Sequence, residues 1–297
     1  MIISKLREYG LRVFLNKLIN KIKRDSGYIA WRFHDVEKYQ SPTDDELLQI
    51  ENEMRAAGLV LEDYEPSKKS FEDYKKQAWF PDDYHGGKHG KVWDEKVLEH
   101  WLASELLGLM EYASEDIYVD VAAGGSPWVK ALRDRKGIQA YAIDLGIKKD
   151  YENLDYYREE DATASSFSDA SVRGASLQCA FEMFVKGHDA GLIKEIKRIL
   201  KPGGKVVILP LYMHTHYCAY STSEYFGKGY PDQGAKEYVR LDCNGIPSSR
   251  KYIVEKLQER VLDIIENEGM QYRLLRLNNK NELGRNIYCH FILEITR

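Results

Sequence analysis

Apolar residues in this chain follow two periods, and the change from one to the other divides it. Over residues 1–75 they recur at helical spacing among charged positions. A helix from about 44 to 57 follows Gln40-Ser41-Pro-Thr43-Asp-Asp, where Ser41 or Thr43 is placed to cap it. The spacing predicts an amphipathic helix over 93–107, after the glycine-rich loop Pro81-Asp-Asp-Tyr-His85-Gly-Gly-Lys-His89-Gly. From Ile117 the pattern becomes short apolar runs between helical stretches. These predict strands over 117–121, 140–143, 155–159, 175–180 and 205–209, with helices near 127–135 and over 189–200. The second of those helices stops at Lys201-Pro-Gly-Gly204, because Pro lacks an N–H and Gly accepts a left-handed conformation. Such alternation predicts a parallel sheet covered on both faces. A long helix over 249–267 precedes two last strands, 272–277 and 288–296. Only a short polar loop over 278–286 joins them, so they pair antiparallel; a parallel pairing needs a longer crossover.

The strand ends carry the candidate chemistry. Ile117-Tyr-Val-Asp120-Val runs into Ala122-Ala123-Gly124-Gly125, whose small side chains let backbone approach a ligand, and then into Ser126-Pro127-Trp128. Ser126 is suited to cap the next helix and Pro127 to its first position, and the helix start offers free N–H groups. The following strands end at Asp144, at Asp161 and at Phe181-Glu182. Singly, such aspartates are ordinary turn residues. At successive strand ends they meet at the carboxyl edge of an open sheet, where ligands bind.

Composition narrows the partners. A net charge of −4 over 297 residues argues against nonspecific nucleic-acid binding, and no basic aromatic groove favours it. The four cysteines, Cys179, Cys218, Cys243 and Cys289, are scattered, as expected of free thiols in a reducing compartment. No apolar run reaches the roughly 18 residues that span a bilayer, so a cytoplasmic location is expected. Residues 1–24 are basic and amphipathic: Lys5, Arg7, Arg12, Lys17, Lys21, Lys23 and Arg24 stand beside Leu11, Phe14, Leu15, Leu18, Ile19 and Ile22. That stretch packs on its own domain or a partner, or lies on the inner face of a membrane.

Taken together, these motifs resemble a class I S-adenosylmethionine-dependent methyltransferase over roughly residues 90–297. Val119-Asp120-Val-Ala-Ala-Gly124-Gly125-Ser126 is similar to its first motif, Ala142-Ile-Asp144 to its second and Glu160-Asp161-Ala162-Thr163 to its third. Cys179-Ala-Phe-Glu182-Met-Phe184 resembles the end of the fourth strand, and Glu195-Ile-Lys-Arg-Ile-Leu-Lys-Pro-Gly-Gly204-Lys-Val-Val-Ile-Leu209 the helix, turn and strand that follow. Ala122 and Ser126 stand where many relatives have glycine, and Met183 where histidine often follows the acid. The resemblance implies a Rossmann-like three-layer α/β fold. Its mainly parallel seven-stranded sheet would end in an antiparallel hairpin, with residues 1–75 as a helical extension, 76–297 as the domain and 211–248 as an acceptor-site lid. It implies S-adenosylmethionine as cofactor and S-adenosylhomocysteine as product. Asp120, Ala122, Ala123, Gly124 and Gly125 would meet the methionine part, Asp144 the ribose, and Asp161 and Ala162 the adenine, with Leu145 also in the cofactor site and Phe181 or Glu182 at the reacting edge.

Methyl transfer is an in-line displacement, so placement supplies much of its acceleration, and an oxygen acceptor also needs a base. Histidine is the first candidate. His214 and His216, after the fifth strand, are expected at the acceptor with Glu182; His85 and His89 could close over the site, and His188 neighbours a helix cap. His214-Thr-His216-Tyr-Cys218 also has the look of a metal site, since alternate residues of an extended segment share a face, but methyl transfer needs no metal and none is expected. Residues 211–248 hold Tyr212, Tyr217, Tyr220, Tyr225, Tyr230 and Tyr238, which suit a sugar or other polar small molecule. The chain is similar in this to methyltransferase-like proteins encoded with bacterial surface-polysaccharide enzymes. O-methylation of a small molecule or glycan is therefore the leading expectation. The alternatives are an N-, C- or macromolecule methyltransferase, or a non-catalytic binding module. A nicotinamide dehydrogenase would want a G-x-G-x-x-G spacing that is absent.

Overall fold

The computed structural model describes residues 15, 18–23, 25, 26, 31, 36–228 and 232–297. Most of the basic stretch over 1–24, and Tyr230, lie outside the described residues. Those described between 15 and 26 are helical, with Leu15, Leu18, Ile19 and Ile22 exposed. Among the described residues no helix is long and apolar enough to cross a membrane.

Helix α1 (Asp44–Ala56) begins with a capping box: the Thr43 hydroxyl accepts the Glu46 N–H, and Glu46 accepts the Thr43 N–H at 2.8 Å. Strand β1 (Leu61–Tyr64), α2 (Lys68–Lys76) and α3 (Trp93–Leu107) follow. Next come β2 (Ile117–Val121), α4 (Trp128–Lys136), β3 (Gln139–Asp144), β4 (Tyr157–Glu159), β5 (Val172–Gln178), α5 (His188–Ile199) and β6 (Leu200–Leu209). After these come β7 (Cys218–Thr222), β8 (Lys236–Arg240), β9 (Ser249–Lys251), β10 (Gln271–Leu277) and β11 (Phe291–Thr296). The main sheet has the order β1-β10-β11-β6-β5-β2-β3-β4. It is parallel throughout except for β11, which runs antiparallel to both β10 and β6, so the C-terminal hairpin is present as expected.

Alternate residues of each strand build two cores. Val206 and Ile208 of β6 face Leu192, Ile193 and Ile196 of α5, while Val207 and Leu209 face the side holding Leu98 and Leu102 of α3 and Trp128 and Leu132 of α4. The sheet is thus a middle layer between helices, the three-layer arrangement the alternation predicts.

Three expectations are corrected. The sheet has eight strands rather than seven, because β1, inside the stretch read as helical, adds in parallel to β10. Its Leu-Glu-Asp-Tyr sequence gives little strand signal; Arg273 and Arg276 of β10 hold Glu62 at 2.7 Å and Asp63 at 2.6 Å. The helix expected over 249–267 starts at Val254 and contains a π turn over Gln258–Leu262. Ser249–Lys251 instead pairs antiparallel with β7, and its Arg250 and Lys251 are buried, so tertiary burial overrides helix propensity. Residues 211–248, read from sequence only as an insertion, contain β7 and β8, which pair with β9 in a separate three-stranded sheet. Finally, α3 is not amphipathic but buried nearly all round, including Glu95 and Glu99 at 0 % exposure.

The Pro-Gly-Gly turn is absorbed into β6 as a bulge. Val172 faces Leu200 and Gly174 faces Lys205, so Lys201 to Gly204 is looped out. A Cβ on Gly204 would lie 2.9 Å from the Lys201 carbonyl oxygen, which requires glycine there.

Candidate active site

At the end of β2 the chain turns through Ala122 with φ +58°, a left-handed conformation that costs a non-glycine residue roughly 1–2 kcal/mol. This is the position where the resemblance leads one to expect glycine; alanine adopts the same backbone and carries the strain. The helix then begins at Trp128, not at Pro127, which occupies the cap, while the Ser126 hydroxyl accepts the Trp128 N–H at 3.2 Å. Gly124 packs against the β3 loop so closely that a Cβ would meet the Gly146 carbonyl oxygen at 2.3 Å. Gly125 has open space on its Cβ side.

A cleft of about 340 Å³ opens at this edge, lined by Asp120, Ala122, Ala123, Gly125 and Ser126 from the turn. Gln178 and Cys179 at the end of β5, Lys96, Glu99 and His100 of α3, and Tyr84 and His85 of the glycine-rich loop complete it. Three of these, His85 (φ +47°), Ala122 and Cys179 (φ +51°), are left-handed without being glycine. Backbone strain of this kind collects where a ligand site over-determines the conformation.

Asp120 is fully buried and neither carboxylate oxygen has a hydrogen-bond partner. Burial, and then the neighbouring Asp144, push its pKa well above the ordinary value. A buried carboxylate without a counter-charge calls for a cation, and the ammonium of a methionine moiety is one. Asp144 receives the Gly124 N–H on one oxygen (3.0 Å) and the Gly146 N–H on the other (3.2 Å). Each oxygen keeps a lone pair that a ribose hydroxyl can use. Leu145 beside it is 75 % exposed, the flat apolar surface an adenine needs. Asp161 accepts both the N–H and the hydroxyl of Thr163 at 2.8 Å, which lowers its pKa, and Ala162 is buried next to it. These residues fit S-adenosylmethionine. Phe181, by contrast, is in the core, 2 % exposed with its ring stacked 6.0 Å from Tyr252.

Cys179 gathers a second set of groups. Its thiol donates to Glu99 at 3.1 Å and lies 3.2 Å from the Tyr212 hydroxyl, while Lys96 pairs with Glu99 at 2.9 Å. Glu182 is buried with one oxygen unpartnered, and burial raises its pKa, an effect that Lys251 opposes. The Lys251 ammonium donates to the Ser249 hydroxyl, sits 3.5 Å over the Tyr212 ring, and is pushed down to about 8 by burial. Sequence reasoning named Glu182 but missed Lys96, Glu99, Cys179 and Lys251. Glu95 and Glu99 were the available signal, since acids one helical turn apart alternate there with Leu98 and Leu102.

The histidines divide. His85 lines the cleft, with its pKa lowered to about 4 by burial and then by Lys96, so its ring is neutral at pH 7. His214 and His216 do not line it. His214 accepts the Thr215 N–H at 2.9 Å on Nδ1, and its Nε2 faces the Gln40 carbonyl at 3.3 Å; Nε2 of His216 meets the Tyr238 hydroxyl at 2.6 Å. Burial lowers both pKa values. His89 lines a separate aromatic pocket with Trp79 and Trp93, and His188 opens α5.

Fold and cleft together define a nucleotide-cofactor enzyme of the open α/β type. Residues 119–208 match the family model described as a methyltransferase domain, which spans β2 to β6 and the cofactor turn. Residues 119–208 are thus a methyltransferase domain of the S-adenosylmethionine-dependent kind, and S-adenosylmethionine is its cofactor. No curated protein matches it. Among solved structures it is similar to the 1,6-didemethyltoxoflavin N1-methyltransferase of Burkholderia thailandensis, at 11 % identity over 88 % of this chain and 93 % of that one, TM-score 0.44. It is similar also to the geranyl diphosphate C-methyltransferase of Streptomyces coelicolor, at 14 % identity over 78 % and 98 % of the two chains, TM-score 0.40. A methyltransferase of Aquifex aeolicus shows 15 % identity over 78 % and 97 %, TM-score 0.39.

Proposed function

We propose that this methyltransferase acts on a hydroxyl of a small polar acceptor, a sugar or glycan unit in kind, with His85 as the base. The observation that carries the reading is the imidazole of His85 in the same cleft as Asp120 and Ala122, among the polar walls of Lys96, Glu99 and Gln178. Bound to Asp120, Asp144 and the glycine turn, S-adenosylmethionine supplies an electrophilic methyl group. Asp120 balances the ligand's positive charge, and the turn holds the methionine part against the helix start. His85 takes the proton that an alcohol sheds as its oxygen becomes the nucleophile, a step a charged imidazolium cannot perform. Lys96 and Glu99 offer donor and acceptor to a polyol, and the Cys179–Tyr212 contact links the cleft to residues 211–248, which we read as the cover of the acceptor side of a domain over 76–297.

Transfer of a ¹³C-labelled methyl group to a panel of glycosides, alcohols and amines tests this, since carbon NMR separates methoxy from N-methyl and C-methyl products. The expected product is a methoxy group. His85→Ala should lower kcat about 10²–10⁴-fold while S-adenosylhomocysteine affinity changes less than about twofold. An N- or C-methyl product overturns the acceptor assignment, and unchanged kcat overturns that of His85.

A further inference from the structure

Past the end of β6 lies a cluster that the methyl-transfer site does not use. His214, His216 and Cys218 each bring one donor atom into a set lying within 4.8 Å of one another. The chain bends at Thr215 and His216 instead of running extended, so the expected sharing of one strand face does not explain the cluster. The bend brings the two imidazoles edge to face, with ring centroids 4.2 Å apart. Cys218 opens β7 and is completely buried, and His214 is 6 % exposed.

The other side of each ring is already held. Nε2 of His214 faces the Gln40 carbonyl oxygen at 3.3 Å, and Nε2 of His216 lies 2.6 Å from the Tyr238 hydroxyl. An imidazole that donates its Nε2–H to such an oxygen presents a lone pair at Nδ1. The Thr215 hydroxyl marks the space between those two atoms, 3.3 Å from one Nδ1 and 3.4 Å from the other. Oxygens that fix the tautomer and direction of metal-bound histidines are the usual outer shell of a transition-metal site. Two imidazoles and a thiolate match a borderline-soft ion rather than magnesium or calcium, which take oxygen ligands.

We propose that His214, His216 and Cys218 form a zinc-class site that fastens the three-stranded sheet to the segment carrying Gln40. Tetrahedral zinc, with bonds of about 2.0–2.3 Å, needs donors about 3.5 Å apart, so the set closes by roughly 1 Å through side-chain rotation. The Thr215 N–H gives up His214 Nδ1 in doing so. Lys251 stands opposite Cys218 in the sheet register, and the charge of a bound thiolate offsets it. Three protein donors leave one tetrahedral position to water or an outside ligand.

Cobalt titration of the reduced, chelator-stripped full chain tests the site without reference to methyl transfer. The expected result is one equivalent of Co²⁺ with a thiolate-to-cobalt charge-transfer band and intense tetrahedral d–d bands, displaced by Zn²⁺. Cys218→Ser should abolish the charge-transfer band, His216→Ala should weaken binding at least tenfold, and Cys243→Ser should change neither. Far-UV circular dichroism and urea midpoints establish that the variants fold; if Cys218→Ser does not, the thiolate band in Cys243→Ser decides. Absence of that band from the wild-type protein, or its persistence in folded Cys218→Ser, overturns the proposal.

Discussion

Ala122 departs from an expected motif while keeping the left-handed backbone of the turn. Glycine is favoured at that turn because φ is positive, and alanine reaches the same φ of +58° at a cost in strain. Ala122→Gly removes the strain but adds unfolded-chain entropy, so it should change stability by less than about 1 kcal/mol and retain cofactor binding. Ala122→Val, β-branched at a left-handed position, should destabilise by about 2 kcal/mol or more and weaken binding; urea melts and calorimetry measure both. Asp120 gives a pH prediction. Its folded pKa is raised, so its contribution is fully present below the ordinary aspartate pKa and is lost as pH rises through the raised folded value. Asp120→Asn avoids that loss. The ligand-free variant should therefore gain Tm relative to wild type, more at pH 8 than at pH 5, while binding S-adenosylmethionine at least tenfold more weakly. An equal Tm difference at the two pH values would contradict the burial argument.

At the scale of elements, the ties between the small sheet and the main domain are polar. Asp189 at the start of α5 is fully buried and holds Arg250 of β9 at 2.8 Å, Arg260 of the C-terminal helix at 2.8 Å and the Tyr252 hydroxyl at 2.7 Å; Arg250 also pairs with Asp232. Removing one partner of a buried ion pair leaves a charge uncompensated, so Arg250→Ala should cost about 3–5 kcal/mol in a urea melt. Arg260 still partners Asp189, which places the expectation at the lower end; a loss below about 1 kcal/mol would mean that the network does not tie the sheet down. Elements of this kind were the hardest to read. The strands β2 and β6 announce themselves by apolar runs buried on both faces. Leu61–Tyr64 and Ser249–Lys251 do not, because their charged residues find partners far away in sequence, Arg273 for Glu62 and Asp189 for Arg250. Helix α3 was placed correctly but its character was not, since nothing local shows that Glu95 will accept the backbone N–H groups of Tyr288 and Cys289.

For the whole molecule, the strand–helix alternation and the short loop before the last strand carried the topology, and the acids at strand ends carried the cofactor. Legibility failed where function depends on distant loops meeting. His85, Lys96 and Cys179 converge on one cleft, yet they come from three separate segments. The sequence expectation that the basic stretch over 1–24 lies on an anionic membrane face is open to test, since Leu15, Leu18, Ile19 and Ile22 are exposed. The full chain should co-sediment with vesicles containing phosphatidylglycerol and not with pure phosphatidylcholine, and Ile22→Glu should release it; equal binding to both would remove the electrostatic component. The account as a whole stands on an intact cofactor site, and calorimetric titration of the wild-type chain with S-adenosylmethionine and S-adenosylhomocysteine tests that most directly. It predicts saturable one-to-one binding, lost in large part in Asp120→Asn, with stabilisation of about 2.7 kcal/mol at a hundred times Kd. No heat and no stabilisation with either ligand would contradict it.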